Sequence, residues 1–470
     1  MDGIAAELRC RWGRQVKKEK LGRFEALMLL VTGVLFADSV ASNASAGTPA
    51  LTWWVILGIT YMLPMGAIIG ELSQAMPDEG GIYVWVSEGL GRRWGALVGW
   101  IYFFCGLFIP SSAFIMMSDV FFTLFFPTAP FTLRVCVAIA LVWIMGFAST
   151  LPMAESSWMT NAAGVIKIVL YLLVFTAGIV YVLRGNAPAN SFDAASLVPT
   201  PGQSLTFLPV IVYCCSGMEL ASASAEQFDD PARMLPRVIL GMVVMNVVFN
   251  MIAATGMLLV LPVDAIDLDL GFLDVLSTLL GSGALLYGAA LCFLFSLFAQ
   301  TVAWVVGGNR GACESAKAGE LPRFLGVEKN DQPFGAIITT CIVSTLFLAL
   351  YALLAGTASD LFFSLMSCGV LSTLLPYVLM VAAYQHLRHA GRIGSKGTFH
   401  CPAGITLSWV VQIIQCLTLC LMIYVPGAGW NSAVVTNVFG AVTMVGIGWI
   451  AVSACLRKAR QENRASSLDE

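Results

Sequence analysis

Apolar stretches of about twenty residues recur along the whole chain, separated by short polar segments. They fall at 24–46, 50–75, 94–126, 131–151, 158–184 and 204–226, and again at 236–261, 284–312, 335–355, 359–386, 404–425 and 431–456. A helix needs about 20 apolar residues to cross the hydrocarbon core of a bilayer, so the pattern predicts an all-α membrane protein with twelve transmembrane helices. The third window exceeds that length, which predicts a helix that is tilted or runs past the membrane.

Two windows break the pattern. Window one contains "VLFADSVASNASAG" (34–47) and window six "YCCSGMELASASAE" (213–226). They place Asp38, Ser39, Ser42, Asn43, Ser45 and Gly47, and then Ser216, Gly217 and Glu219, where a lipid-facing helix would be leucine-rich. Small residues also let helices pack closely, but a carboxylate inside a membrane costs about 2.5–3.5 kcal/mol on insertion scales. Backbone in hydrocarbon must satisfy its own hydrogen bonds, and breaks survive only where something polar replaces the lost partners. Interruptions at matching places in two halves of a chain point to a solute site near the membrane midplane. Windows one and six each open a group of five.

Composition agrees. The 470 residues are 58% hydrophobic and 11% charged, with a mean hydropathy of +0.83, against roughly 25% charged in soluble domains. Without a basic domain, no nucleic-acid partner is expected. The 13 cysteines are scattered through apolar runs and read as small hydrophobes. His386, His389 and His400 read as parts of one solvated polar loop. With no metal-ligand spacing and no nucleophile–base set, neither a metal, a cofactor nor an enzyme is expected. The basic N-terminus leads into an uncleaved first helix rather than a removed signal peptide.

Lysine and arginine set the direction. With the N-terminus inside, 22 of the 25 basic residues fall on inner segments, only Arg134 and Arg184 on outer ones, and Lys167 within a span. This predicts a multi-pass protein of the cell membrane (inner or plasma membrane) with both termini cytoplasmic. The expected layout is a tail (1–23), spans one to five (24–185), an extracellular linker (186–203), spans six to ten (204–390), a loop with the last two spans (391–456), and a tail (457–470). The stretch "LPVDAIDLDLGFLDVL" predicts a short helix on the outer surface.

Three segments carry a family resemblance. "MPDEGGIYVWVSEGLGRRWGALVGW" (76–100) resembles the P-x-x-G-G-x-Y loop of amino acid–polyamine–organocation (APC) permeases. "SGMELASASAEQFDDPARMLPR" (216–237) resembles their G-x-E and P-x-R-x-x-P signature, and "AWVVGGNRGACESAKAGELPRFL" (303–325) their span-eight exit. Within that superfamily the chain is most similar to bacterial glutamate/GABA antiporters, which share the E-G-G-x-x-x-W-V-S run and "FHCPAG". Span one lacks the glycine cluster most members carry, and the tyrosine the glutamate/GABA group has near Asp38.

The resemblance implies a 5+5 inverted repeat like that of the bacterial leucine transporter, with helices one and six broken, and alternating access for amino acids or related amines. It places the substrate among Asp38, Ser42, Asn43, Ala44, Ser45, Cys215, Ser216, Gly217, Glu219 and Trp304. Asp38, before the break, would pair with a substrate amine or with a partner inside the bundle. Ser42 to Ser45, in the unwound turn, would offer backbone N–H groups to a carboxylate. Cys215, Ser216 and Gly217 would offer carbonyls to an amine. Glu219 would brace helix six or touch the ligand. Trp304 would wall the cavity or sit in the core. Lys167 matches a lysine that replaces sodium in proton-coupled members; held away from water it can pass a proton on, or form a fixed ion pair. Glu71 reads as structural, and Arg92 and Arg93 as inner anchors. The expected activity is sodium-free exchange, with proton symport as the rival and a membrane enzyme or a non-transporting receptor further off. The partners are then the small-molecule substrate and the lipid bilayer, and the protein a monomer or homodimer.

Overall fold

Helices make up nearly every described element, and among the described residues the only strand-like contacts are isolated bridges, Leu21 with Phe228 and Lys329 with Gln332. The computed structural model describes residues 20–78, 80–151, 153–200, 208–354, 358–394, 399–423 and 432–466. Most of the expected N-terminal tail, the end of the 186–203 linker, and the last residues of the C-terminal tail lie outside these.

The chain begins with α1 (Arg23–Val34), a 3-10 turn (Ala37–Ser39) and α2 (Val40–Ala44). There follow α3 (Pro49–Ala75, with a π-turn at Gly58–Met62), α4 (Ile82–Leu90), α5 (Arg92–Phe125), α6 (Phe131–Ser149) and α7 (Met153–Leu183). The second half holds α8 (208–213), α9 (Leu220–Ala223), α10 (Pro231–Val260), α11 (Gly271–Leu280) and α12 (Ala284–Lys317). Last come α13 (Phe334–Leu354), α14 (Ala358–His389), α15 (Gly404–Ile423) and α16 (Ser432–Ser466). Pro49 and Pro231 open α3 and α10, where a missing N–H costs nothing. Pro110, Pro236 and Pro376 sit inside helices, as membrane helices allow when neighbours satisfy the freed carbonyl.

Among the described residues, nine helical segments are long and apolar enough to cross a membrane, counting the interrupted Arg23–Ala44 as one. Window six is divided into the short α8 and α9. Helix α5 packs on α14 and α12, α10 on α7 and α3, and α1 on α7. The apolar window of α5 is 83% buried and that of α16 only 17%. The first is therefore the centre of the bundle and the second its rim.

The basic side is tied together by polar contacts. Glu71 is 2% exposed; its Oε2 accepts from Tyr384 Oη (2.7 Å), Arg388 Nη1 and the Cys401 amide (3.1 Å), as a structural acid should. Arg92 Nε donates to Glu320 (2.6 Å), which also takes the Tyr83 hydroxyl (2.9 Å). Arg93 lies over the Trp449 ring at 5.1 Å. The single histidine loop does not form: His386 and His389 belong to the last turn of α14, and only His400 is outside a helix. On the opposite side the expected short helix is α11. Its Phe272, Leu273, Val275 and Leu276 are buried against the bundle, with Phe272 stacked on Phe293 at 5.2 Å.

Candidate substrate site at the two helical breaks

Helix α1 stops at Val34, and Leu35 and Phe36 are extended (φ −78°, ψ 97° and φ −82°, ψ 85°) before the chain turns again. A helix end leaves its last carbonyls without partners, and in a membrane those partners must come from the protein. They come from α7 and α12. Lys167 Nζ donates to Thr32 O (2.6 Å) and Leu35 O (2.5 Å), and Trp304 Nε1 donates to Gly33 O (2.8 Å). Lys167 also donates to Gln300 Oε1. Lys167 is 0% exposed and Trp304 2%. Its hydrogen-bond partners are thus two backbone carbonyls and the Gln300 amide, with the Asp38 carboxyl one side chain further on.

The second break runs from Cys214 to Glu219. Gly217 has φ +96°, a region L-residues avoid. Its N–H donates to Tyr377 Oη (2.9 Å), and the Cys214 carbonyl accepts from Asn246 Nδ2 (2.9 Å). Glu219 Oε1 accepts from the Tyr102 hydroxyl.

The two breaks touch. A Cβ built on Gly217 would lie 3.3 Å from Val34 and 3.4 Å from Gly33 O. Phe36 packs on Tyr213 at 4.9 Å and on Trp304 at 5.9 Å. Asn43 Nδ2 is 3.5 Å from Cys214 Sγ. A narrow pocket of about 40 Å³ runs between α1, α6, α7, α9 and α12, lined by Leu29, Ser149, Thr160, Leu220 and Ala303 among others and by none of the break residues themselves.

Two expectations need correction. Ser42, Asn43 and Ala44 are not unwound: they form α2, and Ser45 closes it with its N–H on Ala41 O (2.9 Å). The extended residues are Leu35 and Phe36, so the amide of Ser45 is already engaged within the helix. Asp38 accordingly follows the break rather than preceding it, within the 3-10 turn. It is half-buried, and its Oδ1 accepts from Gln300 Nε2 (3.3 Å). Cys215, Ser216 and Gly217 do lie in the second break.

The site's polar balance is uneven. Ser39 Oγ, Ser216 Oγ and Glu219 Oε2 are buried with no hydrogen-bond partner, and buried polar atoms without one are rare. The carboxyls of Asp38 and Glu219 flank the breaks, while the ammonium of Lys167 is committed to three acceptors. Sequence reasoning missed Gln300, Tyr102, Asn246 and Tyr377. Gln300 and Asn246 at least stand out as amides within apolar runs; the tyrosines carry no local signal.

The family model described as amino acid permease matches residues 21–454. The chain belongs to the amino acid permease family. The permease is thus a multi-pass membrane transporter and not an enzyme. It is 28% identical over 377 residues to a probable agmatine/putrescine antiporter of Lactococcus lactis, covering 79% of this chain and 80% of that one. It is 22% identical to a glutamate/gamma-aminobutyrate antiporter of the same species, with 78% and 76% covered. It is also 22% identical to an L-asparagine permease of Streptomyces coelicolor, with 84% and 81% covered. Among solved structures, the manganese transporter of Eremococcus coleocola superposes with a TM-score of 0.59 at 13% identity, covering 95% of this chain and 97% of that one. That likeness shows the fold alone.

Proposed function

We propose that this permease is a sodium-independent exchanger of amines derived from amino acids, working by alternating access. In this reading it has twelve spans with both termini cytoplasmic, and spans one to five and six to ten form the two repeats (24–185 and 204–390). The ligand sits between the breaks, its ammonium toward Asp38, with Ser39, Ser216 and Glu219 available to it. Lys167 occupies the place a coupling cation would need. One observation carries the reading: carboxyls flank the breaks, while the buried lysine beside them is committed to Thr32 O, Leu35 O and Gln300. A cationic ligand is therefore favoured over glutamate. The likeness to a probable agmatine/putrescine antiporter points the same way.

The test is flux in proteoliposomes. Vesicles loaded with putrescine should accumulate labelled agmatine, empty vesicles should not, and replacing sodium by potassium should change nothing. Glutamate that competes as well as agmatine would refute the amine reading. Uptake by empty vesicles driven by an inward-directed proton gradient would mark symport instead.

A further inference from the structure

Gln300 stands between the two charged side chains at the first break. It is 4% exposed, its Oε1 accepts from Lys167 Nζ, and its Nε2 donates to Asp38 Oδ1 at 3.3 Å. We infer that Gln300 is the positioning residue that joins the charge of Lys167 to that of Asp38, so that a cationic ligand at Asp38 and a proton on Lys167 exclude one another. The ligand half of this statement rests on the amine reading above.

The argument is one of donors and acceptors. An ammonium has three N–H donors and no acceptor, and Lys167 meets three acceptors: Thr32 O, Leu35 O and Gln300 Oε1. The neutral amine has two N–H donors and one lone pair. Two of the three acceptors are backbone carbonyls fixed by the end of α1, whereas the Gln300 amide is able to turn over. Once Lys167 releases its proton to bulk water, a turned amide gives Nε2–H to the lysine lone pair and faces Asp38 with Oε1. An oxygen there repels a bare carboxylate but accepts from an ammonium bound to it. One orientation of Gln300 thus fits charged lysine with an empty Asp38, and the other fits neutral lysine with an occupied one. Charge agrees: ammonium and carboxylate cancel, a second cation leaves the buried cluster positive at a cost, and loss of one proton restores balance. The other ionisable side chains near Asp38 are the phenols of Tyr171 and Tyr213 and the thiol of Cys214, so Lys167 is the cation that shares the site with it.

The experiment uses the full chain in lipid nanodiscs and has two arms. In the first, putrescine is titrated into weakly buffered protein near neutral pH. About one proton should be released per putrescine bound, falling to near zero in Gln300→Leu while binding remains measurable. Gln300→Glu keeps the size and the acceptor for Lys167 but fixes a charge beside it, so its release should fall too if the leucine variant does not fold. Unchanged release in the variants, or none in the native protein, overturns the relay. The second arm needs no amine, so a failure to bind putrescine counts against the amine reading alone. Melting temperatures of Asp38→Asn, Lys167→Gln and the double variant form a cycle. The effects should be non-additive in the native background, and the non-additivity should shrink with Gln300→Leu, which leaves only the direct attraction between the two charges. Additivity in the native background, or non-additivity undiminished by that change, overturns the relay.

Discussion

Replacing Gly217 by alanine adds a single methyl group at the point where the two breaks meet. The backbone there has φ +96°, and holding an L-residue in such a sparsely populated region costs about 1–3 kcal/mol. The new Cβ would stand 3.0 Å from Trp304 Cζ2, 3.3 Å from Val34 Cγ2 and 3.4 Å from Gly33 O. None of these yields easily. The indole is held by its hydrogen bond to Gly33 O (2.8 Å), and the other two belong to the end of α1. Overpacking of this kind costs about 1–3 kcal/mol. The expected loss is therefore about 2–6 kcal/mol, with exchange lost because the indole and α1 must shift. Gly241→Ala is the control: this glycine lies within α10 with nothing near its would-be Cβ, and alanine there gains up to about 1 kcal/mol of helix propensity. Melting curves of purified protein and agmatine–putrescine exchange would be measured on both variants. If Gly217→Ala melts and transports like Gly241→Ala, the contact between the breaks does not hold the site together.

Trp304→Phe keeps a ring but leaves the Gly33 carbonyl without its donor, which should cost about 1–3 kcal/mol; a melting temperature equal to the native one would refute the capping role. Glu71→Ala strands Arg388, Tyr384 and the Cys401 amide and should cost about 3–5 kcal/mol, read as early thermal unfolding, whereas Arg93→Ala at the rim should stay close to native. Asp38→Asn should abolish agmatine competition in the exchange assay while leaving the protein folded; equal competition by agmatine in both forms would sink the amine-pairing role. Burial, with Glu71 nearby, pushes the Cys401 thiol up to about 11, so it stays protonated and resists maleimide at neutral pH; rapid labelling of that residue in the native protein would contradict its placement.

The interrupted helices were legible because carboxyls and serines in hydrocarbon demand a reason, and Asp38 and Glu219 drew the eye to both places. The position of the first interruption was not legible. Ser42, Ala44 and their neighbours look like a loop in sequence, yet they form a small-residue face where α2 packs on α10. The extended residues are Leu35 and Phe36, which look like ordinary helix. What lets them unwind is remote: a lysine 132 residues from Leu35 and a tryptophan 271 residues from Gly33. The histidines were misplaced for a simpler reason, since α14 extends past its apolar stretch to His389. Tyr102 sits in an aromatic-rich helix and Tyr377 in an ordinary apolar one, and only the folded arrangement shows that each hydroxyl faces the second break.

The way the first break is capped bears on what it can bind. Carbonyls at an unwound helix end are natural partners for an ammonium, and a ligand amine would ordinarily find them open. Here Thr32 O and Leu35 O face Lys167, and Gly33 O faces the indole of Trp304. A ligand that sought those oxygens would have to displace a buried cation or a buried N–H, leaving it unpaired at about 1–3 kcal/mol or more. Side chains remain: Asp38 after the break and the unpartnered Ser39, Ser216 and Glu219 oxygens. A carboxylate ligand gains little from such a set, because it meets negative charge and hydroxyls without a free cation. In the proposed amine reading, an amine gains a charge-assisted bond at Asp38, and a second amine or a guanidinium on the same molecule meets the Glu219 carboxyl. In that reading the caps that hold the helix open also decide which end of an amino-acid-like molecule the site prefers.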